Sequence, residues 1–557
     1  MATWSLSAWS GPATALALLA LTLGAAAPAP VQAQAQSAPA AALPADPPPT
    51  PTRTLTPTLE VRGFVITGHT LLSETQLKAP LEAFVGLRTV SELQTAALAV
   101  QRVYAQAGFG GVAVVVPPQT PRHGMVTLQV LEGRLTAPRV QGARRQTREQ
   151  ILAALPPLQA GQTPRLRALD GALQLANENP SRRLELLLKP GASAGEIDAV
   201  VSVHETALQQ LSMDLDNTGS AQTGRWRLGL LWRHGNFLGL DDSLSVQGVT
   251  SPDRPEQVGI LSLGWRLPLY RQQAALEAYA SSSDVDGGTT PTLAGDLRFA
   301  GKGRVVGVRW SQLLPRWGEA DQRLSVALDQ RDYLNHCAID GLPDGACGAA
   351  SQSVSSRPLA VEYSLRSAAD TPWLLQLGLH HNLGGGRHGQ AEAFEAVRPG
   401  APRRYTVLRA QGQLRWPLAD DWSLQSRVAL QWTRDPLVPG EQFGLGGAQL
   451  VRGYEEREAT GDRGWLASLE VASPPWPLQG TTRLGLSAFA DIGRVQLLQG
   501  PGCGTGPMAC SLASAGLSAR LADAGTQLLL SAAMALREGP RTARDQWRLH
   551  ASLSHPF

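Results

Sequence analysis

The stretch Arg483-Leu484-Gly485-Leu486-Ser487-Ala488-Phe489-Ala490-Asp491-Ile492-Gly493 alternates with a period of two. Its even positions, Leu484, Leu486, Ala488, Ala490 and Ile492, are all apolar, while the odd positions mix Arg483, Gly485, Ser487, Phe489, Asp491 and Gly493. Successive side chains of a strand point to opposite faces, so this segment has one face for lipid and one for water. That is the pattern of a membrane β-barrel strand, and it places Asp491 in the wet lumen. Trp422–Trp432 repeats it: Trp422, Leu424, Ser426, Val428, Leu430 and Trp432 alternate with Ser423, Gln425, Arg427, Ala429 and Gln431. The span between the two tryptophans is roughly 33 Å along a strand. At a 45° tilt it covers about 24 Å of depth, close to the lipid band between two aromatic girdles. Arg225–Arg233 sets Trp226, Leu228, Leu230 and Trp232 against a face bearing Arg225, Arg227 and Arg233. The chain ends on Trp547, Leu549, Ala551, Leu553, His555 and Phe557 in the same alternation.

Composition agrees with this reading. Only 17% of the 557 residues are charged, and 57 Gly and 40 Pro provide for many turns. A mean hydropathy of -0.11 speaks against a helical membrane protein but not against a barrel, which hides its apolar surface in alternation. The one long apolar run, Ala13–Ala27, is too short for a mature span and reads as the core of an export signal within residues 1–35. Small residues at Val31-Gln32-Ala33 and Ala33-Gln34-Ala35 offer cleavage sites, although no Lys or Arg precedes Arg53. Residues 36–58 are rich in Pro, Ala and Thr and read as a linker. A net charge of +3 without a basic cluster gives no sign of nucleic-acid binding.

A different grammar runs from Leu59 to Glu205. Ser73-x-x-Gln76 and Thr89-x-x-Glu92 read as capping boxes opening two helices, the second with a stripe at Leu93, Ala96, Ala97, Val100 and Tyr104. Strands follow, closing at Glu132-Gly133-Arg134-Leu135. The same βααββ order recurs after Arg139, with a helix at Thr147–Leu155 and a second one expected to be capped by Thr163 with Pro164 at its first position. Leu166, Leu169 and Leu173 are the expected buried stripe of that helix. Two α+β units, 59–135 and 136–205, therefore precede a barrel over 206–557. Four cysteines form two close pairs in loop-like surroundings, Cys337 with Cys347 and Cys503 with Cys510. Short-range disulfides are the simplest expectation, and a zinc site fits less well because only His336 is near.

No G-x-S-x-G elbow, P-loop, H-E-x-x-H or cysteine–histidine metal spacing occurs, so no enzyme and no cofactor are expected. The carboxylates Glu455, Glu456 and Glu458 read as a hydrated loop face rather than an acid–base cluster.

About forty residues before Asp491 stands Leu450-Val451-Arg452-Gly453-Tyr454. The tetrad Val451, Arg452, Gly453, Tyr454 with the wall motif Phe489, Asp491, Gly493 resembles the lid loop and inner wall of the two-partner secretion transporters, the ShlB/FhaC/HecB family (TpsB). The two βααββ units resemble that family's tandem POTRA domains, and Asn177-Glu178-Asn179-Pro180 with Lys189-Pro190-Gly191 resembles the second of them. The resemblance covers residues 59–557. It implies about 16 antiparallel strands, a lid loop around 440–464, and an outer-membrane site with the POTRA domains in the periplasm. It also implies a passive exporter of one large adhesin or haemolysin-type protein. The partners it implies are a TpsA-type exoprotein, unfolded in the periplasm, outer-membrane lipid, and the barrel-assembly machinery during biogenesis. The alternative within the same superfamily is a barrel-assembly or translocation-module protein, which would carry more POTRA units.

Overall fold

The computed structural model describes residues 58–557, apart from 222, 286–288, 293–294, 299–300, 335–351 and 501–507. The expected export signal and nearly all of the linker lie outside the described residues, as do Cys337, Cys347 and Cys503. Cys510 is buried and disulfide-bonded.

Both N-terminal units are small sheets covered by helices, built by the local signals in the sequence. In the first, Gly63–Thr67 runs parallel to Met125–Glu132, which pairs antiparallel with Val112–Val115. Ser73 and Thr89 cap the helices Glu74–Lys78 and Val90–Gln106 with complete capping boxes. The stripe Leu93, Ala96, Ala97, Val100 and Tyr104 is buried against the sheet. In the second unit, Arg139–Gln141 runs parallel to Glu196–Glu205, flanked by antiparallel Arg182–Pro190. Thr147 caps the helix Arg148–Ala153.

The recurrence extends to single atoms. Gly68 and Gly142 follow the first strand of their units with φ of 79° and 84°. A Cβ at either would stand 2.4 Å or 2.5 Å from a carbonyl oxygen of the last strand, Val130 or Val203. Just beyond, a glutamate ending that last strand gathers the loop amides. Glu132 accepts from Thr70 N at 2.7 Å and Leu71 N at 2.9 Å, and Glu205 from Arg144, Arg145 and Gln146 N at 3.0–3.2 Å. Burial opposes both carboxylates, yet these hydrogen bonds outweigh it and hold both below the usual carboxylate range.

The second unit departs from expectation at its long helix. The helix is Leu166–Ala176, its N-cap is Arg165 without a side-chain cap, and neither Thr163 nor Pro164 starts it. Those residues are extended because they bind the first unit: Phe109 bridges Arg165, Gly110 N donates to Pro164 O at 2.9 Å, and Leu166 N to Gly108 O at 2.8 Å. The buried stripe is accordingly Leu169, Ala172, Leu175 and Ala176, and Leu166 is exposed.

Sixteen antiparallel staves follow and close on themselves. They are β1 Gln209–Asp216, β2 Arg227–His234, β3 Ser243–Thr250, β4 Val258–Leu269 and β5 Ala274–Val285. Next come β6 Gly301–Trp317, β7 Ala320–Leu334, β8 Val354–Ser356 continued by Pro358–Ser367, β9 Trp373–Asn382 and β10 Thr406–Pro417. The last are β11 Ser423–Thr433, β12 Arg463–Ala472 continued by Trp476–Pro477, β13 Arg483–Gln496, β14 Ala509–Asp523, β15 Thr526–Ala535 and β16 Trp547–Pro556. The seam joins β1 to β16 from Ser212↔Pro556 to Asp216↔Ser552, and the Asn217 side-chain amide extends it by bonding Leu549 O and Ala551 N, each at 2.9 Å.

Alternation sorts the two faces. Leu549 at 70%, Leu517 at 65% and Leu261 at 61% exposure stand on the outer surface, where lipid rather than water meets them. Asp491, by contrast, is 2% exposed on the inside. Inward serines pair across neighbouring staves, Ser262 with Ser281 at 2.9 Å and Ser518 with Ser531 at 2.8 Å, so small polar contacts line the lumen.

Candidate functional site

The site is built from residues 434–462, the loop between β11 and β12, which turns into the lumen. Phe443–Leu445 pairs with Ala459–Gly461 as a two-stranded stem. Beyond it, Val451 and Tyr454 are fully buried in a cluster with Leu445, Leu466, Val495 and Leu512, so the loop packs on the wall as a core does. Tyr454 OH donates toward Ala513 O at 2.9 Å and Arg537 O at 2.8 Å. Gly453 lies so close to β14 and β15 that a Cβ would stand 2.9 Å from Ala535 N and Ser514 Cβ.

Arg452 sits at the centre. Its Nε and Nη2 each donate to one oxygen of Asp491 at 2.8 Å, a two-pronged grip, and its backbone N adds a bond of 3.1 Å. Nη1 donates to Glu470 Oε2 at 2.8 Å, and the guanidinium carbon lies 3.3 Å from the centre of the Phe489 ring. Ser468 Oγ donates to Asp491 Oδ1 at 2.7 Å, and His550 Nε2 meets Arg452 O at 2.6 Å. The tetrad and the wall motif are thus brought together. Asp491, Glu470 and Ser468 share a wall because Ser468↔Asp491 and Glu470↔Phe489 are register partners of β12 and β13.

Three further carboxylates hold the loop, a role that sequence reading gave to none of them. Glu441, 2% exposed, accepts from Arg331 at 3.1 and 3.2 Å, Arg409 at 3.3 Å, Tyr333 at 2.9 Å and Ser356 at 3.2 Å. Asp462, fully buried, pairs with Arg398 and accepts from Leu437 N at 2.8 Å and Leu498 N at 2.7 Å. Glu458, 5% exposed, receives Thr542 N at 2.8 Å and Thr542 Oγ1 at 3.0 Å. The hydrated-face reading therefore fails at Glu458, whereas the Glu455 side chain keeps 43% exposure. Glu455 pairs with Arg541 and Arg548, so it and Glu458 tie the loop down, while Glu456 accepts from Ala448 N at 2.8 Å within the loop.

The lumen stays polar beneath the loop, in a cavity of about 990 Å³. At its mouth stands the second N-terminal unit. Glu178 pairs with Arg266 of β4 and Arg323 of β7. Asn179 Nδ2 donates to Gly235 O and Asp241 Oδ1, both at 2.7 Å, and buried Arg182 pairs with Asp241 while also bonding Gln146 at 2.6 Å. Arg182→Ala would leave Asp241 without its cation, a loss of about 3–5 kcal/mol for a buried pair. The expected result is faster amide hydrogen exchange across 235–242, and unchanged protection there would refute it.

With this geometry in view, the matches to known proteins carry weight. The model for haemolysin secretion/activation protein ShlB/FhaC/HecB matches residues 195–521, more than half of the chain. The chain belongs to the ShlB/FhaC/HecB family. The ShlB-type POTRA model matches residues 59–133. The outer membrane transporter CdiB of Escherichia coli O6:K15:H31 (strain 536 / UPEC) is 25% identical over 446 residues, covering 77% of this chain and 71% of the relative. The hemolysin transporter protein ShlB of Serratia marcescens is 24% identical over 460 residues, covering 78% and 76%. Among solved structures, CdiB from Escherichia coli aligns with a TM-score of 0.76 at 20% identity over 92% of both chains, which bears on the fold alone. This family member is a two-partner secretion transporter of the outer membrane, with its POTRA domains in the periplasm.

Proposed function

We propose that the chain exports one large cognate exoprotein of the adhesin or haemolysin type, unfolded, through its own lumen. The observation that carries this is the loop 434–462, a removable plug rather than a wall: it is held in a polar lumen by ion pairs and packing, and no strand of the barrel depends on it for closure. The POTRA pair stands at the mouth, where extended chain is captured by strand addition or in a groove. The loop then yields, the chain threads the lumen, and folding outside gives direction without nucleotide. The barrel itself reaches the membrane through the barrel-assembly machinery and is held there by lipid. The test is a search for a large, repeat-rich exported protein encoded beside this chain, followed by co-expression of the two. The exoprotein is expected in the medium only when this chain is present, and its accumulation in the periplasm despite this chain would overturn the proposal.

A further inference from the structure

The charges lining the lumen are unevenly satisfied. In the cavity below the loop, every lining carboxylate is already held by an arginine: Glu178 by Arg266 and Arg323, Asp321 by Arg316 at 2.6 Å, and Glu470 by Arg452 at 2.8 Å. Four arginines of the same cavity, Arg366, Arg415, Arg427 and Arg520, make no ion pair among the described residues. Three of the four sit within four neighbouring staves. Arg366 is on β8, Arg415 on β10 and Arg427 on β11, and between them the wall presents amides. Arg415 lies opposite Gln425 and Arg427 opposite Gln413 in the register of β10 and β11.

Toward the outer end of the same wall stand Arg331 of β7 and Arg409 of β10. These two do have a carboxylate, but it is not the wall's own. The one they share is Glu441, carried in by the inserted loop, with Tyr333 and Ser356 completing its hydrogen bonds, while Arg331 also holds Asp329 of its own stave at 2.6 Å. The wall therefore holds a built carboxylate site at its outer end and unpaired guanidinium groups nearer the periplasm. In a narrow lumen, shielded from bulk water, a guanidinium without a counter-charge attracts carboxylates more strongly than on an open surface.

We propose that the wall β7–β11 is a track for carboxylates of the exported chain, and that Glu441 occupies its outermost site at rest. This rests on the export reading, which supplies the occupant. Acidic side chains of the arriving segment are drawn from Arg366 and Arg415 toward Arg427. One that reaches Arg409 and Arg331 competes with Glu441 and loosens that limb of the loop. The adjoining wall has the reverse sign once Arg452 withdraws, because Asp491 and Glu470 stay on β13 and β12, next to β11. A passing chain would thus meet a basic and an acidic side and be held by neither along its whole length.

The experiment uses the whole chain purified in detergent, with fluorescein-labelled hexaglutamate and hexalysine as probes read by fluorescence anisotropy. Hexaglutamate is expected to bind about tenfold or more tighter than hexalysine, and to weaken as salt rises. The triple variant Arg366→Gln, Arg415→Gln, Arg427→Gln separates the lumen from the arginines of the POTRA domains. It should lose about tenfold in affinity for hexaglutamate, while heat-modifiable gel mobility reports that the barrel is folded. Glu441→Gln vacates the outer site and should tighten binding several-fold, because the probe no longer competes with the loop. Equal binding of the two probes, or full affinity in a folded triple variant, overturns the track. Secretion is read separately: if it persists while the probes show no preference, the track alone fails. Preferential hexaglutamate binding with no secretion would instead overturn the export reading and the identity of the track's occupant.

Discussion

Arg452→Ala is expected to abolish secretion and to leave the loop unpinned. The substitution strands two carboxylates, Asp491 and Glu470, on adjacent staves with no cation between them. Removing one member of a buried pair costs about 3–5 kcal/mol. At about 1.4 kcal/mol per tenfold, that favours the displaced loop by more than a hundredfold. Asp491→Asn should be milder, because Arg452 keeps Glu470 at 2.8 Å. Arg452→Lys keeps the charge but loses the fork on Asp491 and the flat contact with Phe489, so it should rescue only in part. The double swap Arg452→Asp with Asp491→Arg should recover some function if direct contact is what counts. The measurements are exoprotein in the medium and single-channel conductance in planar bilayers, where the variant should fluctuate between levels. Wild-type secretion together with quiet conductance would refute the role given to this pair.

Deleting residues 59–205 is expected to eliminate secretion while leaving an inserted barrel. All sixteen staves lie beyond the deletion, and the seam from Ser212 to Phe557 uses barrel residues only. The cost at the mouth is limited because removing the second unit uncovers Asp241 to water as it takes Arg182 away, Arg266 retains Glu277 at 3.4 Å, and Arg323 faces the open cavity. What disappears is the surface proposed to collect the unfolded chain. Heat-modifiable mobility checks the barrel, and the exoprotein in the medium checks export. Secretion at the full chain's level by the truncated form would sink the docking role.

Much of this architecture could be read from residue order because local physics wrote it. The alternation of Trp422–Trp432 reports a lipid face directly, and the boxes at Ser73, Thr89 and Thr147 start helices by bonds three residues apart. The Arg452–Asp491 contact was reachable only because two short motifs could be set against each other. Where the outcome depended on distant partners, sequence was silent or misleading. Thr163 and Pro164 look like a helix start, yet Gly110 claims the Pro164 carbonyl and keeps the segment extended. Glu441 and Glu458 look like ordinary loop acids, and only the folded loop delivers them to Arg331 and to the Thr542 backbone. Glu470 was the most accessible omission, since it shares the inward face of β12 with Ser468 beside the stave that carries Asp491.

The join between the two N-terminal units has a mechanical meaning. Only Gly133 separates the strand Met125–Glu132 from Arg134–Leu135, and the bonds from Gly110 to Pro164 and from Leu166 to Gly108 clamp the units a second time. Two attachments remove the slack that a single-strand tether would have. The next link in the series, Arg182 and Glu178 against the barrel mouth, is equally short. Such a series behaves as a stiff crank rather than a string. Tension applied by a chain caught on the first unit arrives at β4 and β7 as torque, the staves whose arginines Glu178 grips.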